Sequence, residues 1–87
     1  MKILRHRLFE KKYQKLNSSR KKQIDDAIKL FEKNPFSIKL NNHSLKGKFQ
    51  GLASINAGFD LRIIYKQENS FSIVIFITLG NHNNLYR

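Results

Sequence analysis

The sequence predicts an α+β fold, in which an N-terminal helical hairpin packs on a twisted antiparallel sheet of about four strands. Three observations predict it. Through the first third of the chain, apolar residues recur at helical spacing with Lys and Arg between them. Past Pro35 the pattern changes to strand-like alternation. Near the C-terminus, Phe71 to Leu79 forms an apolar run interrupted only by Ser72 and Thr78, which reads as a central, buried strand. At 87 residues and 40% hydrophobic content, the chain suits one domain over residues 1–87 with a modest core, rather than disorder.

The elements follow in order. Met1 to Arg5 reads as a short edge strand. From about Arg7 to Leu16, Leu8, Phe9, Tyr13 and Leu16 form a helical stripe. Asn17-Ser18-Ser19 breaks it, and a serine there suits the cap of a second helix. Ile24, Ala27, Ile28 and Phe31 form that helix's stripe to about Lys33, and Pro35 stops it by pushing Asn34 out of the helical region. Lys48 to Asn56 alternates through Phe49, Gly51, Ala53 and Ile55, with a turn at Ala57-Gly58. Phe59 to Tyr65 reads as a strand with Asp60, Arg62 and Ile64 on one face and Phe59, Leu61, Ile63 and Tyr65 on the other. Gln67 to Ser70 is a hairpin loop, and Ser72 to Leu79 the central strand. Phe31, Phe36, Phe49 and Phe76 belong to the core or its edge rather than to a base-stacking platform, Tyr65 is structural, and His6 is a surface residue.

Charge is the strongest global clue. The net charge is +11 and the pI near 10.3. Residues 1–48 hold 14 of the 17 Lys and Arg against four acids, a net of +10. Such asymmetry points to a polyanion, or to an acidic protein that masks the basic face. With no cysteine, disulfides and Cys-based zinc sites are excluded, which fits a reducing compartment. The N-terminus lacks the apolar stretch of a signal peptide, and the longest apolar run is too short to cross a bilayer, so a soluble, cytoplasmic protein is expected.

The candidate chemistry lies at strand ends. Gly80-Asn81-His82-Asn83-Asn84-Leu85-Tyr86 follows the apolar run, with Gly80 and the asparagines favouring turns. An imidazole near an aromatic that can stack on a base, in so basic a chain, points to RNA. RNA supplies its own nucleophile, the 2′-hydroxyl. A metal-free ribonuclease then needs a base for that proton, an acid for the departing 5′-oxygen, and cations for the phosphorane charge. No Gly-rich phosphate loop, carboxylate cluster or HExxH spacing offers a metal site, and no cofactor is expected. His82 and His43 supply imidazoles; each also reads as an ordinary polar residue of a strand end or loop. Asp60 sits where a strand is expected, a place aspartate disfavours. It reads as a base, as a group orienting a histidine, or as the ion-pair partner of Arg62. Arg62 suits a bidentate phosphate clamp. Lys46 and Lys48 are phosphate contacts or solvated lysines. Tyr86 stacks on a base or closes the core.

From about Pro35 onward the chain resembles the RelE/ParE superfamily of toxin–antitoxin toxins, and within it the YafQ-like messenger-RNA interferases. The resemblance rests on His43-Ser44-Leu45-Lys46-Gly47, Gly51, Asp60-Leu61-Arg62-Ile63-Ile64-Tyr65, and Gly80-Asn81-His82 with Tyr86, in that order and preceded by the basic hairpin. It implies a RelE-like, microbial-ribonuclease-like fold. It further implies a ribosome-associated endoribonuclease acting on messenger RNA, neutralised by an acidic antitoxin in a toxin–antitoxin hetero-oligomer. His43, Asp60, His82 and Tyr86 match positions that such enzymes use for catalysis and substrate positioning, and Arg62 resembles the phosphate-contacting strand arginine of the RelE branch. A further family histidine, four residues before the aspartate, is replaced by Asn56, which does not exchange a proton near neutral pH. Two other functions remain beside this one: a ParE-like toxin that inhibits DNA gyrase without nuclease activity, and a non-catalytic RNA- or ribosome-binding protein.

Overall fold

A computed structural model describes residues 1–85. The chain runs β1 (Lys2–Arg5), α1 (Arg7–Gln14), α2 (Ser18–Lys33), β2 (His43–Ser44), β3 (Ala53–Ala57), β4 (Leu61–Glu68), β5 (Ile73–Asn81) and α3 (His82–Leu85). Short 3₁₀ turns at Ile38–Leu40 and Gly47–Phe49 flank β2.

Side-chain caps set where the helices begin. The Nδ1 of His6 accepts from the Leu8 amide at 3.0 Å and opens α1. Asn17, rather than the serine expected, caps α2, its Oδ1 accepting from the Arg20 amide at 2.8 Å. Each cap satisfies an amide that has no partner in the first helical turn. Helix α2 ends at Lys33, immediately before the extended Asn34 that precedes Pro35, as expected. Its stripe Ile24, Ala27, Ile28 and Phe31 is buried. In α1, Phe9 is buried, whereas Leu8, expected in the same stripe, points to solvent; Phe9 and Tyr13 face the core, joined by Leu16 just past the helix end.

Both long helices lie on one side of a five-stranded sheet of order β1-β5-β4-β3-β2, with α1 packed on β5 and α2 on β3. The expectation of about four antiparallel strands is corrected in two ways. The two-residue β2 adds a fifth strand, too short to show any periodicity in the sequence. β1 pairs parallel to β5, so the sheet is mixed. The stretch read as a strand from Lys48 pairs only from Ala53, because the Gly47–Phe49 segment winds into a 3₁₀ turn. Likewise β4 begins at Leu61, leaving Asp60 in the preceding turn and Phe59 solvent-exposed rather than inward.

The helix-facing side of the sheet carries Ile55, Ala57, Leu61, Ile63, Tyr65, Val74, Phe76 and Leu79. Phe31 of α2 meets Tyr65 and Phe76 edge-on, with centroids 5.0 and 5.8 Å apart, and Phe9 stacks on Phe76 at 5.7 Å. Fully burying each such side chain stabilises the fold by about 1.5–3 kcal/mol.

A bulge decides the other side. Tyr65 pairs with Phe76 but Ile64 with Thr78, so Ile77 is an extra residue in β5. Strict alternation from Phe76 would send Thr78 into the core and Leu79 outward. The bulge reverses this: Leu79 is buried in the core and Thr78 lies on the far face.

Candidate active site

On the face away from the helices, pairing aligns His43, Ser54, Ile64 and Thr78 in one cross-strand row. Asn56, Arg62 and Gly80 form the next. The chain leaves Gly80 for Asn81 and reaches His82 at the end of β5. A cleft of about 340 Å³ forms there, lined by Asn41, His43, Leu45, Arg62 and His82. Three of the residues expected to do chemistry, His43, Arg62 and His82, thus share one cleft although they come from three separate segments.

His43 is held by its own neighbour. Asn41 adopts a left-handed conformation (φ 45°), which asparagine tolerates better than most residues. Its carbonyl oxygen lies 2.8 Å from the Nδ1 of His43. A carbonyl oxygen only accepts, so Nδ1 carries the proton and a neutral ring keeps its lone pair on Nε2.

Arg62 is half-buried, and its Nη1 donates to the Leu61 carbonyl at 3.0 Å. Among the described residues no ion pair engages it. The remaining guanidinium donors are therefore available to an anion at the cleft.

His82 owes its position to Gly80 and Leu85. A Cβ on Gly80 would stand 3.3 Å from the Cγ of Leu85, so the missing side chain lets α3 fold back and bury Leu85 against β5. Asn81 Oδ1 accepts from the Asn84 amide at 2.8 Å and caps this turn. His82, its first residue, is exposed at the cleft.

The other expected site residues stand apart. Asp60 lies in the turn before β4, and its carboxylate meets Arg20 of α2 at 3.4 Å; it pairs with that residue rather than with Arg62, and is not among the cleft-lining residues. Lys46 and Lys48 are exposed around the 3₁₀ turn beyond β2, outside the cleft lining, with the Lys48 ammonium 5.3 Å from the Phe49 ring centre. Tyr86 lies outside the described residues. Asn56 shares a sheet row with Arg62, and its buried Oδ1 has no hydrogen-bond partner among the described residues. Asn41 and Leu45 line the cleft and were not expected to; the tandem Asn41-Asn42 before His43 was the available signal, since asparagine favours turns. The buried hydroxyls of Ser54 and Thr78, in the same row as His43, were also missed, and both lack a partner among the described residues.

Two imidazoles and one arginine around a single cleft can move two protons and bind a phosphoryl group. Among the described residues no group of His, Asp or Glu could hold a metal ion.

This architecture is that of the RelE-like toxins. YafQ from E. coli superposes with a TM-score of 0.79 at 21% identity, covering 98% of this chain and 97% of that one. A YoeB/ParE toxin from Agrobacterium tumefaciens gives 0.78 at 22% identity, covering 94% and 99%. The toxin in the E. coli DinJ–YafQ toxin–antitoxin complex gives 0.68 at 18% identity, covering 98% and 96%. The family described as the bacterial toxin of type II toxin–antitoxin systems, YafQ, matches residues 1–87, and the chain belongs to it. No curated protein matches the chain in sequence.

Proposed function

We propose that this type II toxin is a metal-independent endoribonuclease that cleaves messenger RNA on the ribosome, in the cytoplasm. The observation that carries the reading is the convergence of His43, Arg62 and His82 on one cleft. In this reaction His43 Nε2 takes the proton from a ribose 2′-hydroxyl. The 2′-oxygen attacks the adjacent phosphorus, and the bond from phosphorus to the 5′-oxygen breaks. His82 gives its proton to that leaving oxygen, and Arg62 stabilises the phosphorane charge. The products are a 2′,3′-cyclic phosphate and a 5′-hydroxyl. Asp60 serves the site from the turn two residues before Arg62, with Arg20 against its carboxylate. Lys46 and Lys48 contact the RNA backbone from the neighbouring turn, and Tyr86 stacks on a substrate base.

An acidic antitoxin is the fitting partner. The net charge of +11 supports it, as does the likeness to a toxin solved in a toxin–antitoxin complex. A single 2′-deoxy nucleotide at the cut position tests the chemistry. It should abolish cleavage there; cleavage at the all-ribose rate would overturn attack by the 2′-oxygen.

A further inference from the structure

A second cavity, also of about 340 Å³, opens beside the first and shares His43 with it. Phe36, Asn42, Ser44, Gln67 and Phe71 lie around it. Ser44 pairs with Ala53 and His43 with Ser54, so successive residues of β2 face opposite sides of the sheet. The edge strand β2 is therefore the ridge between the catalytic cleft on one face and this cavity on the other.

The cavity is built. Asn42 is fixed at both ends of its amide, donating to the Pro35 carbonyl at 2.9 Å and accepting from the Tyr65 hydroxyl at 2.7 Å. The loop after β4 holds Asn69, Ser70 and Phe71 at φ 54°, 52° and 70°. Three consecutive non-glycine residues in that region are strained, and phenylalanine is poorly suited to it. Local bonds maintain the conformation: Gln67 Oε1 accepts from the Phe71 amide and Ser72 Oγ donates to the Asn69 carbonyl, both at 2.8 Å. The result sets the Phe71 ring edge-on to Phe36, with centroids 5.5 Å apart and planes at 85°. Phe36, expected at the core or its edge and not as a stacking surface, is instead 66% exposed and offers its ring at the cavity mouth. Since its oxygen is engaged by Phe71, the Gln67 side chain has its NH₂ donors left, and the exposed Ser44 hydroxyl stands nearby on the same rim.

We infer that this cavity is a nucleobase subsite: it takes the base of a nucleotide adjoining the scissile phosphate, stacked on Phe36 and hydrogen-bonded by Gln67 and Ser44. The inference rests on the nuclease reading above. A flat ring with polar edges satisfies both parts of the lining, and the volume is at the small end of ligand pockets, enough for one ring system. Because His43 borders both cavities, an RNA strand crossing the β2 edge places a phosphate in one and a neighbouring base in the other.

The test uses a non-cleavable 2′-O-methyl RNA hexamer carrying 2-aminopurine, titrated into the full chain while fluorescence quenching is followed. Saturable quenching is expected. Phe36→Ala should weaken binding roughly 5- to 150-fold, the range for removing one base–aromatic stack, and Phe36→Tyr should restore it. Phe36 is too exposed for its loss to disturb the core, and circular dichroism of each variant checks this. Equal affinity and quenching in Phe36→Ala, or no saturable quenching by the wild type, overturns the subsite. Cleavage of ribosome-bound messenger is measured in parallel. Cleavage without base-dependent binding sinks the subsite alone, whereas binding without cleavage sinks the nuclease reading alone.

Discussion

Arg20 and Asp60, forty positions apart in sequence, meet at 3.4 Å and tie the start of α2 to the turn that feeds β4. Both side chains are 42% exposed, so the pair contributes at most about 1 kcal/mol to stability. Its consequence is positional, because Arg62 follows Asp60 by two residues on the strand that enters the cleft. Asp60→Asn should leave the fold intact and slow cleavage by up to about 10²-fold, as expected for a misplaced reacting group. Arg20→Ala should reproduce much of that loss. A large loss in Asp60→Asn that Arg20→Ala does not share would assign proton transfer to Asp60 itself.

The hydrogen bond between Asn41 and His43 makes a second prediction. Nitrogen-15 spectra of the imidazole should show the neutral ring protonated at Nδ1, because the Asn41 carbonyl accepts there. Asn41→Gly keeps both the carbonyl and the left-handed backbone, and should cleave at close to wild-type rate. Asn41→Val is strained at that φ by about 1–3 kcal/mol, and should lower kcat. Equal rates for the two variants would show that the backbone at Asn41 does not orient the base.

Tyr65 makes the fold sensitive to alkali. Burial pushes its hydroxyl above the ordinary value near 10. A raised value means that the neutral phenol is the form the fold favours. That contribution is complete below pH ~10 and is lost as the pH rises through the raised value. Thermal melts should therefore fall above about pH 10, and fall less steeply in Tyr65→Phe. Near neutral pH the same variant should be less stable by about 0.5–1.5 kcal/mol, since Asn42 loses its donor. Identical alkaline slopes would place the sensitivity elsewhere.

How much of this was legible in sequence depended on length and periodicity. Helix α2 was readable because four apolar residues repeat over its length and a proline ends it. Two-residue β2 has no period, so nothing marked His43 as part of the sheet. Alternation put Phe59 inward because a pattern of two does not say where pairing begins; the ladder starts at Leu61, after the turn. The site residues could be named by type, yet their meeting could not be read. It depends on three registers in series, His43 with Ser54, Ser54 with Ile64, and Ile64 with Thr78, the last reset by the Ile77 bulge.

The basic hairpin should act separately from the cleft. Lys11 on α1, Lys15 just past its end and Lys22 on α2 are exposed, and the two helices pack on the opposite side of the sheet from His43 and Arg62. Substituting them with Gln should weaken binding to ribosomes and make its salt dependence shallower, by about 0.7–0.9 in the log–log slope for each phosphate no longer neutralised. The rate of bound substrate turnover should be unchanged. Ribosome affinity independent of salt in the wild type would contradict the role given to this surface.

In the proposed reaction His43 and His82 act as a proton-transfer pair across one cleft. Single-turnover cleavage of ribosome-bound messenger RNA, with folded wild type, His43→Ala, His82→Ala and the double variant, tests it most directly. Each single loss should slow cleavage by about 10²- to 10⁴-fold, with His82→Ala the more severe. The double variant should be much less than multiplicatively worse, because groups that act as a unit are not additive. Wild-type rates in the folded His82→Ala protein would contradict the account and leave the toxin without a nuclease mechanism in this cleft.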